Sequence, residues 1–233
     1  LIFIMVYLAF YESGGDTPMN WQELVNYLWL QQSFFALIYP FDRENELLNM
    51  IKNGNLAYEL IRPQDFYFKW YIKMLAKRLV AVILRFIPLI ILAISLPYPF
   101  HLSGPYSINN FIMFIVALTL GFFLVTSLNL LMHILTMFTL DEKGTMTTYN
   151  VIAEIFMGGT IPIPFFPLWL KHIAEFLPFR FIGDFPFRIY SNSIPLQEGY
   201  ILIIGSIIWI IITISLGYLI SRVSLRKAVI QGG

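Results

Sequence analysis

Few side chains in this sequence could do chemistry, and they do not converge. His133 stands alone in a Leu-Met-His-Ile run, with no second histidine or carboxylate at i+3 or i+4. A helical metal pair needs two such ligands on one face, so no metal site is offered. Glu154 and Arg85 are the other ionisable groups set among apolar residues. Such a group is costly at membrane depth and asks for a functional account, although Arg85 could simply snorkel to the nearer surface. General acid–base work needs two groups poised against each other, and these are single and scattered. The absence of cysteine excludes disulfides, thiolate metal sites and cysteine nucleophiles. No Gly-x-x-x-x-Gly-Lys-Ser/Thr segment occurs, so the chain has no phosphate-cradling loop for ATP. The remaining polar candidates are Asn26, Gln31, Gln32 and Ser33. Asn26 and Ser33 lie seven residues apart on one helical face, flanked by the two glutamines. They suit either the lining of a translocation path or hydrogen bonds that bridge buried helices.

The elements that must hold these residues are apolar blocks. Hydrophobic residues make up 58% of the 233 and charged residues 12%, where soluble domains carry about 25% charged. Gly199 to Ile220 contains no ionisable side chain and meets the roughly 20-residue requirement for crossing a bilayer. Further spans are predicted over Trp21–Phe41, Leu79–Leu96 and Phe111–Leu140, and from Val151 until prolines interrupt it. Leu1–Tyr11 would rise only about 16 Å as a helix and reads as the outer end of a truncated first span. The expectation is an all-α membrane protein of six transmembrane helices, forming a single permease-like domain over residues 1–233. No soluble catalytic domain fits in the remainder. The net charge of +1 gives no reason to invoke nucleic acid.

Basic residues set the orientation. Arg43, Lys52, Arg62, Lys69, Lys73, Lys77 and Arg78 fall between the second and third spans, Lys143 in the Asp141–Gly144 turn, and Arg222, Arg226 and Lys227 after the last span. The connections Glu12–Asn20 and Pro97–Asn110 contain none. The positive-inside rule places the 42–78 connection and both chain ends in the cytoplasm, within the cytoplasmic membrane. Six crossings agree with that parity.

Two connections are not ordinary loops. In residues 42–78, acids and apolar residues alternate at helical spacing over Asp42–Met50, Asn53-Gly54-Asn55 marks a turn, and Arg62-Pro63 marks a break. From Phe66 to Arg78 aromatic and basic residues interleave, as in an amphipathic helix lying in the membrane interface. The second connection, 161–195, carries Pro162, Pro164, Pro167, Pro178, Pro186 and Pro195 and cannot be one helix. It is also too aromatic for a solvated loop. Short helices that dip into the outer leaflet and return, packed on protein, satisfy both constraints.

These connections carry a resemblance. The run NMIKNGNLAYELIRPQDFY resembles the cytoplasmic loop of type 2 ABC-transporter permeases, whose Ile-x-x-Gly…Leu-x-Arg-Pro pattern is matched by Ile51, Gly54, Leu60, Arg62 and Pro63. The run GGTIPIPFFPLWLKHIAEFLPFRFIGDFPFRIY is similar to the family's pattern before the final span. Gly158, Gly159, Pro162, Pro167, Leu177, Pro178, Phe179, Phe185 and Pro186 match it. The basic tail ending Gln231-Gly232-Gly233 is a weaker third match. The resemblance implies an exporter half. Two permeases pair, often two different ones, and each docks a nucleotide-binding subunit that holds ATP and Mg²⁺, so this chain needs no cofactor. It also implies ATPase coupling through the 42–78 loop, for which charged contacts are expected from Arg43, Glu44, Glu46 and Arg62. The outer gate is expected in the proline-broken segment.

A lateral, apolar outer roof suits export of an amphipathic compound, a peptide or a lipid. Two other classes are a membrane immunity or assembly protein that does not transport, and an intramembrane lipid-modifying enzyme. The enzyme would need the convergent groups that this sequence lacks.

Overall fold

The computed structural model describes residues 1–14, 17–39, 43–53, 63–139 and 142–231. Among these the secondary structure is helical throughout. Three helices are long and apolar enough to cross a membrane: Phe66–Ser95, Ile108–Phe138 including a terminal 3₁₀ turn, and Leu196–Arg226. In chain order the elements are α1 (Ile2–Glu12), α2 (Trp21–Ser33), α3 (Phe35–Ile38), α4 (Asn45–Lys52) and α5 (Phe66–Ser95). They continue with α6 (Ile108–Leu135), α7 (Glu142–Phe156), α8 (Leu168–Phe176), α9 (Arg180–Gly183), α10 (Phe185–Tyr190) and α11 (Leu196–Gln231).

The predicted interfacial helix and the predicted third span are one element. The Asp65 side chain caps α5 by accepting the Phe68 N–H at 3.1 Å, and the helix then runs unbroken for 30 residues. At 1.5 Å per residue that is about 45 Å, longer than a hydrocarbon core of roughly 30 Å. About 15 Å, a third of the helix, is thus beyond what a straight crossing needs. Phe66, Tyr67, Trp70, Tyr71, Met74 and Arg78 form its buried stripe, at the i, i+3, i+4 spacing of an amphipathic helix. Pro88 interrupts the hydrogen-bond ladder in the second half without ending the helix, as prolines in membrane helices do where local adjustment or neighbouring groups meet the freed carbonyl.

Helix α6 is the hub of the bundle. Ser107 caps it by accepting the Asn110 N–H at 3.2 Å, and α6 buries residues on all sides. It packs most extensively on α11, where Ser127 and Thr213 hydroxyls meet at 2.7 Å. Such a bond between small polar residues is a usual fastening of apolar helices in a bilayer. At one end of the bundle Leu47, Trp70, Met74, Leu130, Ile134 and Leu225 form a single buried cluster. Lys69, Lys73, Lys77, Arg78 and Arg222 gather near this cluster, which we term the basic end.

At the opposite end, the connection between α5 and α6 is stitched to the start of α2. Trp21 Nε1 donates to the Pro99 carbonyl at 3.1 Å, Gln22 Nε2 to that of His101 at 3.0 Å, and Trp29 Nε1 to that of Phe100 at 2.7 Å. The fifth apolar element begins at Glu142 rather than Val151 and ends at Phe156.

Candidate functional site

At the basic end, α4 presents two faces. Leu47 and Leu48 are buried beneath it, whereas Arg43, Asn45, Glu46 and Asn49 are exposed. Glu44, placed by sequence on the charged outer face, turns inward instead and is buried. Its backbone N–H donates to His133 Nε2 at 3.0 Å. The other ring nitrogen, Nδ1, lies 2.7 Å from the Asn129 carbonyl oxygen. An acceptor at Nε2 and a donor at Nδ1 define one neutral tautomer of His133. The Glu44 carboxylate lies 3.3 Å from Lys77 Nζ and 3.8 Å from Lys73 Nζ. Lys73 also pairs with Glu46 and sits 4.5 Å over the Trp70 ring. The start of α4 is thereby tied to α5 through two lysines and to the end of α6 through one histidine. Ile51 is half-buried and Pro63 is exposed. Gly54, Leu60 and Arg62 lie outside the described residues. Beside this joint, Arg78 donates to the carbonyls of Leu37 and Tyr39 at 3.1 and 2.7 Å and closes the end of α3.

Midway through the bundle, α7 ends at a glycine. Gly158 has φ of +76°, and the Gly159 and Gly158 N–H groups donate to the carbonyls of Glu154 and Ile155. That pair of bonds is the Schellman termination, which needs a left-handed residue where glycine stands. The freed Gly158 carbonyl accepts from Gln31 Nε2 at 2.8 Å and from Tyr27 Oη at 3.3 Å, and Gln31 reaches the Gly159 carbonyl at 3.2 Å. Gln31 thus satisfies the backbone of a broken helix inside the apolar core. The other polar residues of α2 point elsewhere. Asn26 binds Ser103 of the far connection at 2.8 Å, Ser33 is buried, and Gln32 lines an open cleft against Arg85 and Leu89. The four do not share one cavity.

The proline-broken segment after Gly159 runs deeper than a surface roof. Pro162 and Pro167 set the starts of a 3₁₀ turn and of α8. Pro178 and Phe179 are buried as the chain enters α9, and Pro186 occupies the first turn of α10. Gly121, in the middle of α6, faces this segment: a Cβ there would stand 2.9 Å from the Phe181 carbonyl oxygen and 3.3 Å from Ile182 Cα. Near the start of α6, Asn110 Nδ2 donates to the Ile189 carbonyl at 2.7 Å. The rise from Asn110 to Gly121 is about 16 Å, so α9 and α10 climb from the centre of the bundle to its far end. Along that climb Asp184, fully buried, pairs with Arg188 at 3.2 Å, and buried Arg180 holds the Glu175 carbonyl at 3.3 Å.

This arrangement, a helical bundle with one basic joint and one broken helix in its core, has a known counterpart in sequence. The family model described as ABC-2 family transporter protein matches residues 1–232. The chain belongs to that family. It is an integral membrane protein and a permease subunit of an ABC transporter. No curated protein and no solved structure matches the chain.

His133 joins the end of α6 to the start of α4. Glu154 makes no ion pair with Arg85 or Lys143, and Arg85 stacks on the Phe35 ring at 4.6 Å. Among the described residues no three His, Asp or Glu side chains group to hold a metal. The Asp184–Arg188 pair was not singled out by sequence. Its signal was there: opposite charges at i, i+4 within an aromatic, proline-rich stretch that has no reason to be charged. The small-residue step Gly217-x-x-x-Ser221 serves a contact within the chain, Gly217 lying against the Tyr67 ring.

Proposed function

We propose that this permease is one half of an ATP-driven exporter in the cytoplasmic membrane, with its basic end and both termini on the cytoplasmic side. In this reading α1, the α2–α3 pair and α7 are the three further crossings beside the long helices, six in all. A second permease, homologous and different in sequence, completes the translocation path. A dimer of ABC ATPase subunits, which holds ATP and Mg²⁺, supplies the work. The exported compound is amphipathic, a peptide or a lipid.

The observation that carries this reading is the joint at Glu44. A helix that only covered the surface would need no bonds to two membrane-length helices. Here α4 is tied to α5 and α6 at one point, while Arg43, Asn45, Glu46 and Asn49 remain exposed on its other face. A push on that face is passed to both helices. The broken segment from Gly158 to Pro186, with Gly159, Pro162, Pro167, Pro178 and Phe179, is the gate at the far end. Its short elements can shift without unwinding a long helix. Of the polar residues on α2, Gln32 faces open space and is assigned to the path; Asn26, Gln31 and Ser33 are assigned to holding α2 in place beside it.

Two measurements test this. ATP-dependent accumulation of a fluorescent amphiphile inside inverted membrane vesicles reports export; uptake in right-side-out vesicles instead would reverse the direction. Arg43→Glu combined with Glu46→Arg should reduce both the ATPase subunit that co-purifies and its stimulated turnover. Unchanged assembly and turnover would remove α4 from the docking surface.

A further inference from the structure

The joint between α9 and α10 carries three charges on one face. Asp184 keeps helical dihedrals, φ −85° and ψ −56°. The chain stays hydrogen-bonded across it: the Asp184 N–H donates to the Arg180 carbonyl and the Arg188 N–H to the Asp184 carbonyl, both at 3.1 Å. Arg180, Asp184 and Arg188 therefore follow one another at i, i+4 and i+8 and share a face. An arginine stands on each arm, and the carboxylate stands at the joint. The joint is also soft. Pro186 has no N–H to offer the Ile182 carbonyl, which removes one bond of the helical ladder there. Gly183, just before the joint, is packed so closely that a Cβ would stand 2.7 Å from the Met157 carbonyl oxygen, immediately past the end of α7. A shift of α7 is passed to the joint through that backbone contact.

The carboxylate serves one arm only. Asp184 Oδ2 accepts from Arg188 Nη1 at 3.2 Å, while Oδ1 has no partner among the described residues. Arg180 Nη1 is turned away to the Glu175 carbonyl at 3.3 Å. Its Nε, like that of Arg188, has no partner among the described residues. Asp184 is fully buried and Arg180 is 6% exposed, so solvent does not meet these needs. The asymmetry has a physical origin. Helical side chains lean toward the N-terminus, which brings Arg188 back to Asp184 and carries Arg180 away from it. An acid four residues before a base is also the better order on a helix, and the reverse is the weaker one. While the joint stays helical, Arg188 holds the carboxylate.

We propose that Asp184 is the exchange point of a two-position hinge. In the position seen here it holds Arg188. When the joint bends, the angle between the arms changes; Asp184 releases Arg188 and takes Arg180, which releases the Glu175 carbonyl. Either arm satisfies the carboxylate, so one charge pair is made in both positions and no buried carboxylate is left alone at the end of the swing. Discrete exchange of partners is what makes a packed segment bistable and not continuously deformable. The three orphaned atoms are sealed from the surface, so no second protein completes them in this position. The use of the hinge in transport rests on the reading of Gly158 to Pro186 as the gate; the exchange itself does not.

The sequence has no cysteine, so a pair of spin labels can be introduced without other changes. His172→Cys on α8 reports the arm before the joint, and Glu198→Cys at the start of α11 reports the end to which the other arm is tied; both positions are exposed. The labelled chain is isolated with the subunits that accompany it, placed in nanodiscs, and measured by double electron–electron resonance with and without a non-hydrolysable ATP analogue. Across these conditions the parent pair should show two distances. Arg188→Gln should move the population to the second distance. Arg180→Gln should remove the second distance and leave the first. Opposite shifts are the signature, because a charge cluster that only stabilises the fold would move both variants the same way. One distance in the parent under every condition, shifts of the same direction, or both distances retained in Arg180→Gln would each overturn the hinge. If Arg188→Gln does not assemble, Arg180→Gln decides alone, since the Asp184–Arg188 bond is intact in it. The distances are read without transport. A permease that imports, or whose gate lies elsewhere, would keep both shifts while failing the vesicle assay.

Discussion

The backbone N–H of Glu44 and the ring of His133 meet at 3.0 Å, joining the entry of α4 to the end of α6. The bond needs neutral imidazole with its proton on Nδ1, which the Asn129 carbonyl accepts at 2.7 Å. His133→Ala removes the acceptor and leaves a buried N–H unmet, a loss of about 1–3 kcal/mol. Glu44→Gln keeps the backbone bond and weakens only the attraction to two lysines that are themselves well exposed, a loss of about 1 kcal/mol or less. Thermal denaturation in detergent should therefore rank His133→Ala below Glu44→Gln. If the joint transmits work, ATPase turnover in the assembled complex should fall in the same order. Equal effects of the two variants would shift the weight from the histidine to the ion pairs.

Gly121 and the Phe181 carbonyl set how closely the broken segment can approach α6. A methyl at residue 121 would meet backbone at 2.9 and 3.3 Å, and backbone cannot rotate away as a side chain can. Gly121→Ala should cost about 1–3 kcal/mol through overpacking. Gly104 has no atom within 4 Å of where its Cβ would stand, so Gly104→Ala should be close to neutral. Comparing the two melting temperatures checks that the loss comes from proximity and not from a methyl as such.

Gly158 is constrained twice, by φ of +76° and by the Tyr27 hydroxyl 2.5 Å from where a Cβ would stand. The left-handed conformation alone costs a non-glycine residue about 1–2 kcal/mol. Gly158→Ala should therefore destabilise by more than that. Adding Tyr27→Phe should recover part of the loss, because it removes the contact and leaves the backbone strain. A double variant no better than the single would mean that the strain accounts for the whole effect.

Much of the bundle was legible in the sequence because bilayer physics acts on composition. The long apolar blocks became α5, α6 and α11, and the basic residues marked one end of all three. The amphipathic stripe from Phe66 to Arg78 was legible as well, but not its fusion with the next span. Nothing local at Leu79 signals either a bend or a straight continuation. The inward turn of Glu44 was hidden for a different reason. A glutamate beside exposed charges reads as solvated until tertiary structure brings Lys77 and His133 to it. Depth was least legible of all. Prolines announce that 161–195 is broken, but only the bare backbone at Gly121, far away in sequence, shows that Phe181 and Ile182 reach the middle of α6.

The same segment holds the most consequential charges in the core. Asp184 is fully buried and bonds Arg188 at 3.2 Å, one helical turn away. Arg180, also buried, stands on the preceding turn. Asp184→Asn would leave the half-buried Arg188 without its bonded carboxylate, while Arg180 keeps the Glu175 carbonyl, and breaking such a pair from one side costs about 3–5 kcal/mol. Arg188→Gln strips the carboxylate of its bonded partner and should cost about as much. Replacing both members with leucine removes the buried charge together with its desolvation, and such replacements are often close to neutral. The expected order of melting temperature is wild type and the double variant near each other, with both single variants well below. If the pair also holds the gate, the double variant should fold and yet transport at an altered rate, since α9 and α10 would keep their packing and lose their tie. A double variant as unstable as the singles would instead assign the loss to packing around Phe185 and Phe187 and not to charge.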